Sequence, residues 1–358
     1  MTPAPGPPLR GVNLGNWLLL EKWMAPRLFD GTAAGDEYSL SAALGPGAEH
    51  HILHHRDTYI TQADFAWLKR CGLNAVRIPF GYWLFDPDPP YVASPRHLDM
   101  ALAWAQKYHL QVLLDLHGLP GAQGPEHHTG RAGHFQWHRD PRHLNRSLDL
   151  IEHLAQRYAG CPALRAFSVV NEPEPTVGRD FLVRFYEQAY DRVRQHLPAD
   201  RVAFVLAAYP EGEMPKYHGC LPGRQQVWTD VHLYQSFGDW SRWTLLDYLA
   251  YPLGRQSRLR VFLDQGPAIV GEWSLALAAP LEQQIQALPA LRQELLRVMH
   301  GRMLLALFEE FQGWFFWSYR VEGRPQWSFR DAVARGWLPQ HYADPAPAAP
   351  PALASIPV

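Results

Sequence analysis

Val202-Ala203-Phe204-Val205-Leu206 is an almost continuous apolar run with the length of a short β-strand. Gln111-Val112-Leu113-Leu114 has the same character. Strands that are apolar on both faces are typical of parallel sheets covered by helices. Runs that we interpret as strands recur along the chain at residues 11–17, 73–78, 111–116, 166–170, 201–207, 227–233, 268–272 and 313–317.

Amphipathic stretches separate these strands. Residues 61–71 begin with Thr61, followed three positions later by Asp64, and carry Phe65 and Leu68 on one face, which predicts a capped helix. Similar patterns occupy residues 97–108, 144–158, 180–196 and 281–311. Eight strand–helix units predict an α/β fold, a single (β/α)8 TIM barrel. A doubly wound open sheet is the alternative, but no Gly-x-Gly-x-x-Gly follows a strand.

The composition excludes several classes of protein. The chain has 358 residues, of which 47% are hydrophobic and 19% charged, as in a globular protein. Its 33 basic and 35 acidic residues give a net charge of −2, so we expect no nucleic-acid partner. The sequence contains no apolar run of about 18 residues, so we expect no membrane span. We assign residues 1–342 to one catalytic barrel and expect the Ala- and Pro-rich tail, residues 343–358, to be disordered.

The start of the chain and its cysteines bear on location. Residues 1–8 lack the basic and apolar segments of a signal peptide. Cys71, Cys161 and Cys220 are odd in number and have no metal-like spacing, which favours free thiols in a reducing compartment. We therefore predict a cytoplasmic protein; secretion, with the signal peptide absent from this chain, is the alternative.

Two glutamates end strands on opposite sides of the predicted barrel. Glu172 lies in Val169-Val170-Asn171-Glu172-Pro173, after the fourth strand, and Glu272 lies in Ile269-Val270-Gly271-Glu272-Trp273, on the seventh. Active sites of such barrels form at the carboxyl ends of the strands, so the two side chains are expected to face each other. Paired carboxylates across a cleft suit the hydrolysis of a glycosidic bond, in which one donates a proton and the other attacks or activates water.

Other strand ends add polar and aromatic groups to the same space. Arg77 lies in the apolar run Val76-Arg77-Ile78 and requires a carboxylate partner there, so we expect it to keep the attacking carboxylate ionised. The remaining strand ends contribute His117, His232, Tyr234 and Trp317. Most of the 14 Trp, 15 Tyr and 16 Phe belong to the core, yet such abundance modestly favours a carbohydrate site.

The ordered motifs of the chain resemble glycoside hydrolase family 5, and within it the fungal-type exo-β-1,3-glucanases and β-glucosidases. The resemblance extends over roughly residues 9–340. The motifs that carry it are Arg10-Gly11-Val12-Asn13-Leu14-Gly15-Asn16-Trp17, Val76-Arg77-Ile78-Pro79, Leu114-Asp115-Leu116-His117-Gly118, Asn171-Glu172-Pro173, His232-Leu233-Tyr234-Gln235, Gly271-Glu272-Trp273 and Gly313-Trp314-Phe315-Phe316-Trp317.

The resemblance implies a retaining, exo-acting enzyme on β-glucosides or β-glucans that uses no cofactor and no metal. Glu172 would be the acid/base and Glu272 the nucleophile. The substrate-binding residues it implies, from the −1 subsite outwards, are Asn171, Arg77, His117, His232, Tyr234, Trp317, Glu21 at the terminal sugar and Phe237 at the entrance.

One segment departs from the family pattern. Residues 119–130 read Leu-Pro-Gly-Ala-Gln-Gly-Pro-Glu-His-His-Thr-Gly, where the exo-glucanases resemble Ala-Pro-Gly-Ser-Gln-Asn-Gly-Phe-Asp-Asn-Ser-Gly. The phenylalanine that would form an aromatic clamp with Phe237 is missing, so we expect a remodelled leaving-group side and leave the linkage open.

Two alternatives of a different class remain. One is a metal-dependent barrel hydrolase, since His50, His51, His54 and His55 include an i,i+4 spacing in what we take to be a loop, and Asp115-x-His117 ends a strand. The other is a non-catalytic sugar-binding barrel, which the presence of both glutamates disfavours.

Overall fold

Eight parallel strands close into a barrel in the order of the sequence. The computed structural model describes residues 7–210, 212, 214–217, 219–238 and 244–342. Strand β1 pairs with β8, Leu9 opposite Gly313, which closes the ring. The strands are β1 Leu9–Asn13, β2 Ala75–Gly81, β3 Gln111–Gly118, β4 Leu164–Ser168, β5 Ala203–Ala207, β6 Val227–His232, β7 Ala268–Trp273 and β8 Gly313–Phe316.

Helices lie between successive strands and cover the outside of the barrel. Their bounds are α1 Glu37–Leu44, α2 Ala48–Tyr59, α3 Gln62–Arg70, α4 Pro95–Lys107, α5 Pro141–Arg157, α6 Arg179–Arg194, α7 Met214–Tyr217, α8 Leu245–Leu263, α9 Ala279–Gln286, α10 Ala290–Phe308 and α11 Phe329–Ala334. Single turns of 3₁₀ helix occur at Pro26–Phe29, Gly45–Gly47, Tyr82–Leu84, His127–Thr129 and Pro175–Val177. No helix within the described ranges combines the length and apolar character needed to cross a lipid bilayer.

The predicted barrel is confirmed, and the open sheet is wrong. Each predicted strand overlaps an observed one, and Thr61 and Asp64 form the expected capping box at the start of α3. The helix predicted at residues 281–311 is instead two helices, because Pro289 stands between α9 and α10 and cannot extend the first. The predicted tail, residues 343–358, lies outside the described residues.

An apolar layer fills the inside of the barrel beneath the site. It is made by side chains from all eight strands: Leu9, Ala75, Leu113, Ala166, Ala203, Val205, Trp228, Ile269 and Phe315. A larger apolar cluster lies between the strands and the surrounding helices. Because the interior is packed, the polar residues at the carboxyl ends of the strands have a rigid floor.

Candidate active site

A cavity of about 620 Å³ opens where the carboxyl ends of the strands meet the loops. Eight of the ten predicted site residues line it, while Arg77 and Asn171 lie behind its wall. The lining comprises Glu21, Trp23, His117, Glu126, His127, His128, Glu172, Tyr209, Pro210, His232, Tyr234, Phe237, Gly238, Glu272, Trp317, Arg324 and Trp327.

The two glutamates approach each other across this cavity. A carboxylate oxygen of Glu172, one of Glu272 and a ring nitrogen of His232 all lie within 4.8 Å of one another. Glu172 follows β4 in a left-handed backbone conformation, with φ at 38°, which is uncommon outside glycine and typical of functional sites. Glu272 is held by β7. Its neighbour Gly271 has no space for a side chain, since a Cβ there would meet the carboxylate of Asp230.

Arg77 organises the floor of the site. The buried guanidinium donates from Nη1 to Asn13 Oδ1 at 2.8 Å and to Glu272 Oε1 at 3.0 Å, and from Nη2 to Asn171 Oδ1 at 2.8 Å. It also forms ion pairs with Asp115 and Asp230, at 3.1 and 3.5 Å. Burial disfavours its charge, but the surrounding carboxylates outweigh burial and raise the pKa of Arg77. Arg77 is therefore a permanent cation that positions both Glu272 and the neighbour of Glu172.

Glu272 receives hydrogen bonds on both of its oxygens. Arg77 donates to Oε1, and the Tyr234 hydroxyl donates to Oε2 at 2.8 Å. Burial raises the pKa of Glu272 above its ordinary value of 4.5, and the nearby charge of Glu172 adds to this, although His232 and Arg77 oppose it. From Arg77 alone we expected Glu272 to be kept ionised, which corresponds to a lowered pKa. Its pKa is raised instead, because the effect of burial in the packed barrel outweighs that of one guanidinium.

The hydrogen-bond partner of Glu172 is His232, whereas the donors to Glu272 are Arg77 and Tyr234. His232 Nδ1 donates to Glu172 Oε1 at 2.5 Å and lies 3.4 Å from Glu272 Oε2. Burial would raise the pKa of Glu172, but the charge and hydrogen bond of His232 outweigh it and lower that pKa to about 2. Burial also disfavours the imidazolium, yet Glu272, Glu172 and Asp230 raise the pKa of His232 well above 6.5. The two carboxylates and the imidazole therefore titrate as one cluster, with its mobile proton on His232.

His117, Asn171 and Trp317 shape the wall next to the glutamates. His117 Nδ1 donates to Asp115 Oδ2 at 2.7 Å, and the Asn171 amide lies 3.3 Å from His117 Nε2. The Trp317 ring stacks on His117, with centroids 5.5 Å apart and planes 13° from parallel. The Asp115 carboxylate thus fixes the imidazole, and the imidazole packs against the indole of Trp317, which lines the cavity.

The entrance is aromatic on one side. Phe237 is 64% exposed and meets Tyr234 edge to face, with centroids 5.5 Å apart. Trp327 lies beside both rings and also contacts Trp23, at 5.2 Å. Glu126, on the segment that departs from the family pattern, contributes a carboxylate to the lining where that pattern has a phenylalanine. The entrance therefore combines aromatic and charged groups.

Some residues of the candidate active site were not predicted from the sequence. Asn13 and Asp115 belong to motifs quoted above and Asp230 to the predicted strand 227–233, but their contacts with Arg77 or Gly271 were not predicted. The cavity-lining residues that were not predicted as site residues are Trp23, Glu126, His127, His128, Tyr209, Pro210, Gly238, Arg324 and Trp327. Residues 126–128 could have been named from the sequence, because they lie in the segment where the chain departs from the family pattern.

Comparison with known proteins identifies the family. The chain matches the model of the cellulases, glycosyl hydrolase family 5, over residues 38–320. It belongs to glycoside hydrolase family 5. It is 34% identical to a probable glucan 1,3-beta-glucosidase A of Emericella nidulans, over 94% of this chain and 91% of that protein. It is 31% identical to a glucan 1,3-beta-glucosidase of Blumeria graminis, over 93% of this chain and 87% of the relative.

Solved structures of other enzymes share the fold. A rutinosidase from Aspergillus niger superposes with a TM-score of 0.77 at 20% identity, over 92% of this chain and 97% of that one. The endoglucanase Cel5A of Thermotoga maritima superposes with a TM-score of 0.58 at 16% identity, over 91% and 96%. The chain is thus an O-glycosyl hydrolase of family 5, with a glycan as its substrate.

The four clustered histidines of the metal-dependent alternative lie outside the cavity lining. His50, His51, His54 and His55 occupy helix α2 and not a loop. His51 and His55 hydrogen-bond the backbone carbonyls of Leu28 and Asn16, each through Nε2. These histidines therefore serve the packing of α2 against the first loops of the family 5 barrel.

Proposed function

We propose that the protein is an exo-acting β-glucosidase or exo-β-1,3-glucanase that works by double displacement with Glu172 and Glu272. The observation that carries the proposal is the short approach of the two carboxylates, within 4.8 Å. Retaining enzymes need carboxyl groups about 5–5.5 Å apart, whereas inverting enzymes need about 6.5–9.5 Å for an intervening water. We also take residues 1–342 as one catalytic domain.

Glu272 acts as the nucleophile in this proposal. Its hydrogen bonds from Arg77 and Tyr234 aim the carboxylate at the anomeric carbon. Attack forms the bond from Glu272 to the sugar and breaks the bond to the leaving oxygen, which takes a proton from Glu172. Since His232 holds the cluster's mobile proton 2.5 Å from Glu172, it supplies that proton as the substrate binds. In the second step Glu172 removes a proton from water, and water releases the sugar with retained configuration.

The walls of the cavity support an assignment of the sugar subsites. Trp317 offers a flat face for the sugar at the −1 subsite, beside His117 and Asn171. Glu21 and Phe237 both line the cavity, and we assign Glu21 to the terminal sugar and Phe237 to the leaving group. A β-glucoside or β-glucan end fits this arrangement.

Product analysis tests the exo-acting function. With a soluble β-1,3-gluco-oligosaccharide we expect glucose as the first product, because Glu21 leaves no further subsite beyond the terminal sugar. Nuclear magnetic resonance of the first turnovers should show the β-anomer. A ladder of longer oligomers at early times would show an open cleft and contradict the proposal.

The cluster of titrating groups predicts a bell-shaped pH profile. Glu272 must be ionised to attack, and its pKa is raised above 4.5, so kcat/KM falls as the pH drops through that raised value. His232 must be protonated, and its pKa is raised well above 6.5, so kcat/KM falls again as the pH rises through it. The maximum lies between these two limits. Measurement of kcat/KM on an aryl β-glucoside at pH 4 to 10 tests this, and a flat profile would contradict the cluster.

We propose a cytoplasmic location. Cys71, Cys161 and Cys220 are free thiols, and Cys71 and Cys220 are buried. Unpaired cysteines are typical of reducing compartments, which supports this location.

A further inference from the structure

Two adjacent histidines of the loop after β3 face two different glutamates of the cavity. His127 Nε2 lies 3.2 Å from Glu21 Oε2, and His128 Nε2 lies 3.7 Å from Glu172 Oε2. Both belong to the segment that departs from the family pattern, on the 3₁₀ turn His127–Thr129. The divergent loop therefore contacts two separate carboxylates of the cavity.

We propose that His127 is a positioning residue that sets affinity for the terminal sugar by holding Glu21 as an ion pair. The inference rests on the proposed function, in which Glu21 contacts that sugar. The carboxylate partner of His127 in the cavity is Glu21 rather than Glu172 or Glu272, so in this proposal His127 acts on binding and not on bond cleavage.

The surroundings of Glu21 support this role. Glu21 is only 3% exposed, and its Oε2 accepts hydrogen bonds from Trp23 Nε1 at 2.9 Å and from His127. Since both donors use Oε2, Oε1 is the oxygen available to a sugar hydroxyl. The backbone N–H of Glu21 donates to Asn16 Oδ1 at 2.7 Å, which fixes the main chain. The carboxylate is therefore held from two sides and has one oxygen to offer.

A fully buried ion pair, Arg56 with Glu37, fixes the chain next to Glu21. Glu37 accepts from the backbone N–H of Leu20 at 2.8 Å through Oε2 and from Trp83 Nε1 at 2.9 Å through Oε1. Arg56 Nη2 lies 2.7 Å from Glu37 Oε1, and both side chains of this ion pair are fully buried. The main chain at Glu21 is thus rigid, and the freedom that remains is that of the side chain which His127 contacts.

Charges around His127 favour its protonated form and so favour the ion pair. The hydrogen bond to Glu21 is the largest influence and raises the pKa of His127, with Glu126 and Asp36 adding to it. Burial opposes the charge of Glu21, but His127, with His117 further away, lowers the pKa of Glu21. In contrast, burial lowers the pKa of His128 and keeps that neighbour neutral. As the pH rises through the raised pKa of His127, the pair is lost and Glu21 keeps Trp23 as its side-chain donor.

Loss of the pair should weaken binding of sugar and transition state equally, because the terminal hydroxyls lie away from the reacting bond. For His127→Ala we expect KM on an aryl β-glucoside to rise about fivefold at pH 6, the upper end for an ion pair whose histidine is 40% exposed. The value of kcat should change by less than about threefold. In the wild type, KM should rise with pH as His127 loses its proton.

The matched variants separate charge from shape. His127→Gln keeps an N–H donor but does not titrate, so it should partly restore KM and remove its dependence on pH. His54→Ala is the control, since His54 is an exposed histidine on α2, and its KM should equal that of the wild type at every pH. Thermal unfolding of each variant checks that the fold is intact.

Distinct results overturn the inference and the proposed function. If His127→Ala lowers kcat with KM unchanged, or if KM varies with pH in His127→Gln as in the wild type, the role of His127 is wrong. If the wild type does not cleave β-glucosides at all, the proposed function fails before His127 is tested.

Discussion

Replacing Glu272 by alanine is expected to abolish hydrolysis of natural and activated β-glucosides alike. The change removes the group that we propose attacks the anomeric carbon, and a good leaving group cannot compensate for an absent nucleophile. A loss of about 5.5 kcal/mol of transition-state stabilisation corresponds to about a 10⁴-fold drop in kcat/KM. The fold should survive, because Arg77 keeps Asp115, Asp230 and Asn171 as partners.

Azide distinguishes loss of the nucleophile from general damage. The anion can enter the space left by the carboxylate in Glu272→Ala and attack an activated β-glucoside directly, which gives the α-glucosyl azide. Glu187→Ala is a suitable control, since Glu187 is exposed on α6, away from the cavity lining, and should retain wild-type rates. Residual activity of Glu272→Ala above about one per cent of wild type on an aryl β-glucoside would show that another group attacks.

The barrel could be predicted from the sequence because the strands are marked by local runs of apolar residues. A run such as Val202–Leu206 is apolar on both faces only where a parallel sheet is covered on both sides, so the fold class follows from composition and order. The helices were less predictable. Helix α2 carries four histidines and has a weak apolar face, so its formation depends on tertiary contacts such as His55 with Asn16.

The position of the two glutamates could also be predicted, because strand ends in a barrel meet at one face. Their protonation could not. The pKa of Glu172 depends on a 2.5 Å contact with His232, sixty positions along the chain, and on the burial of both groups. No local pattern encodes such a distance. The same holds for Glu21 and His127, which approach each other only after the loops following β1 and β3 fold over the barrel. The catalytic roles of the two glutamates and the binding roles of Glu21 and His127 remain predictions.

Replacing Glu172 by alanine should give a different defect. Substrates whose leaving group needs no proton, such as a dinitrophenyl β-glucoside, should still undergo the first step, since Glu272 keeps its hydrogen bonds from Arg77 and Tyr234. Natural glucosides should lose about 10⁴-fold in kcat/KM, because their alkoxide must be protonated as it leaves, and a loss of several kcal/mol has that size. The ratio of the two substrates' rates thus reports the acid role.

The second step of Glu172→Ala separates the two glutamates further. Without a base to activate water, the covalent glucosyl-enzyme should accumulate after a burst of one leaving group per active site, and mass spectrometry should detect the added hexose on the peptide that contains Glu272. Azide needs no base, so it should release the intermediate as the β-glucosyl azide, the opposite anomer from that formed by Glu272→Ala. The two anomers follow from the opposite faces on which the glutamates act, and an exchange of products between the variants would reverse the assignment. Release of α-glucose by the wild type would exclude double displacement, because a single inversion needs a water molecule where the carboxylates are too close to hold one.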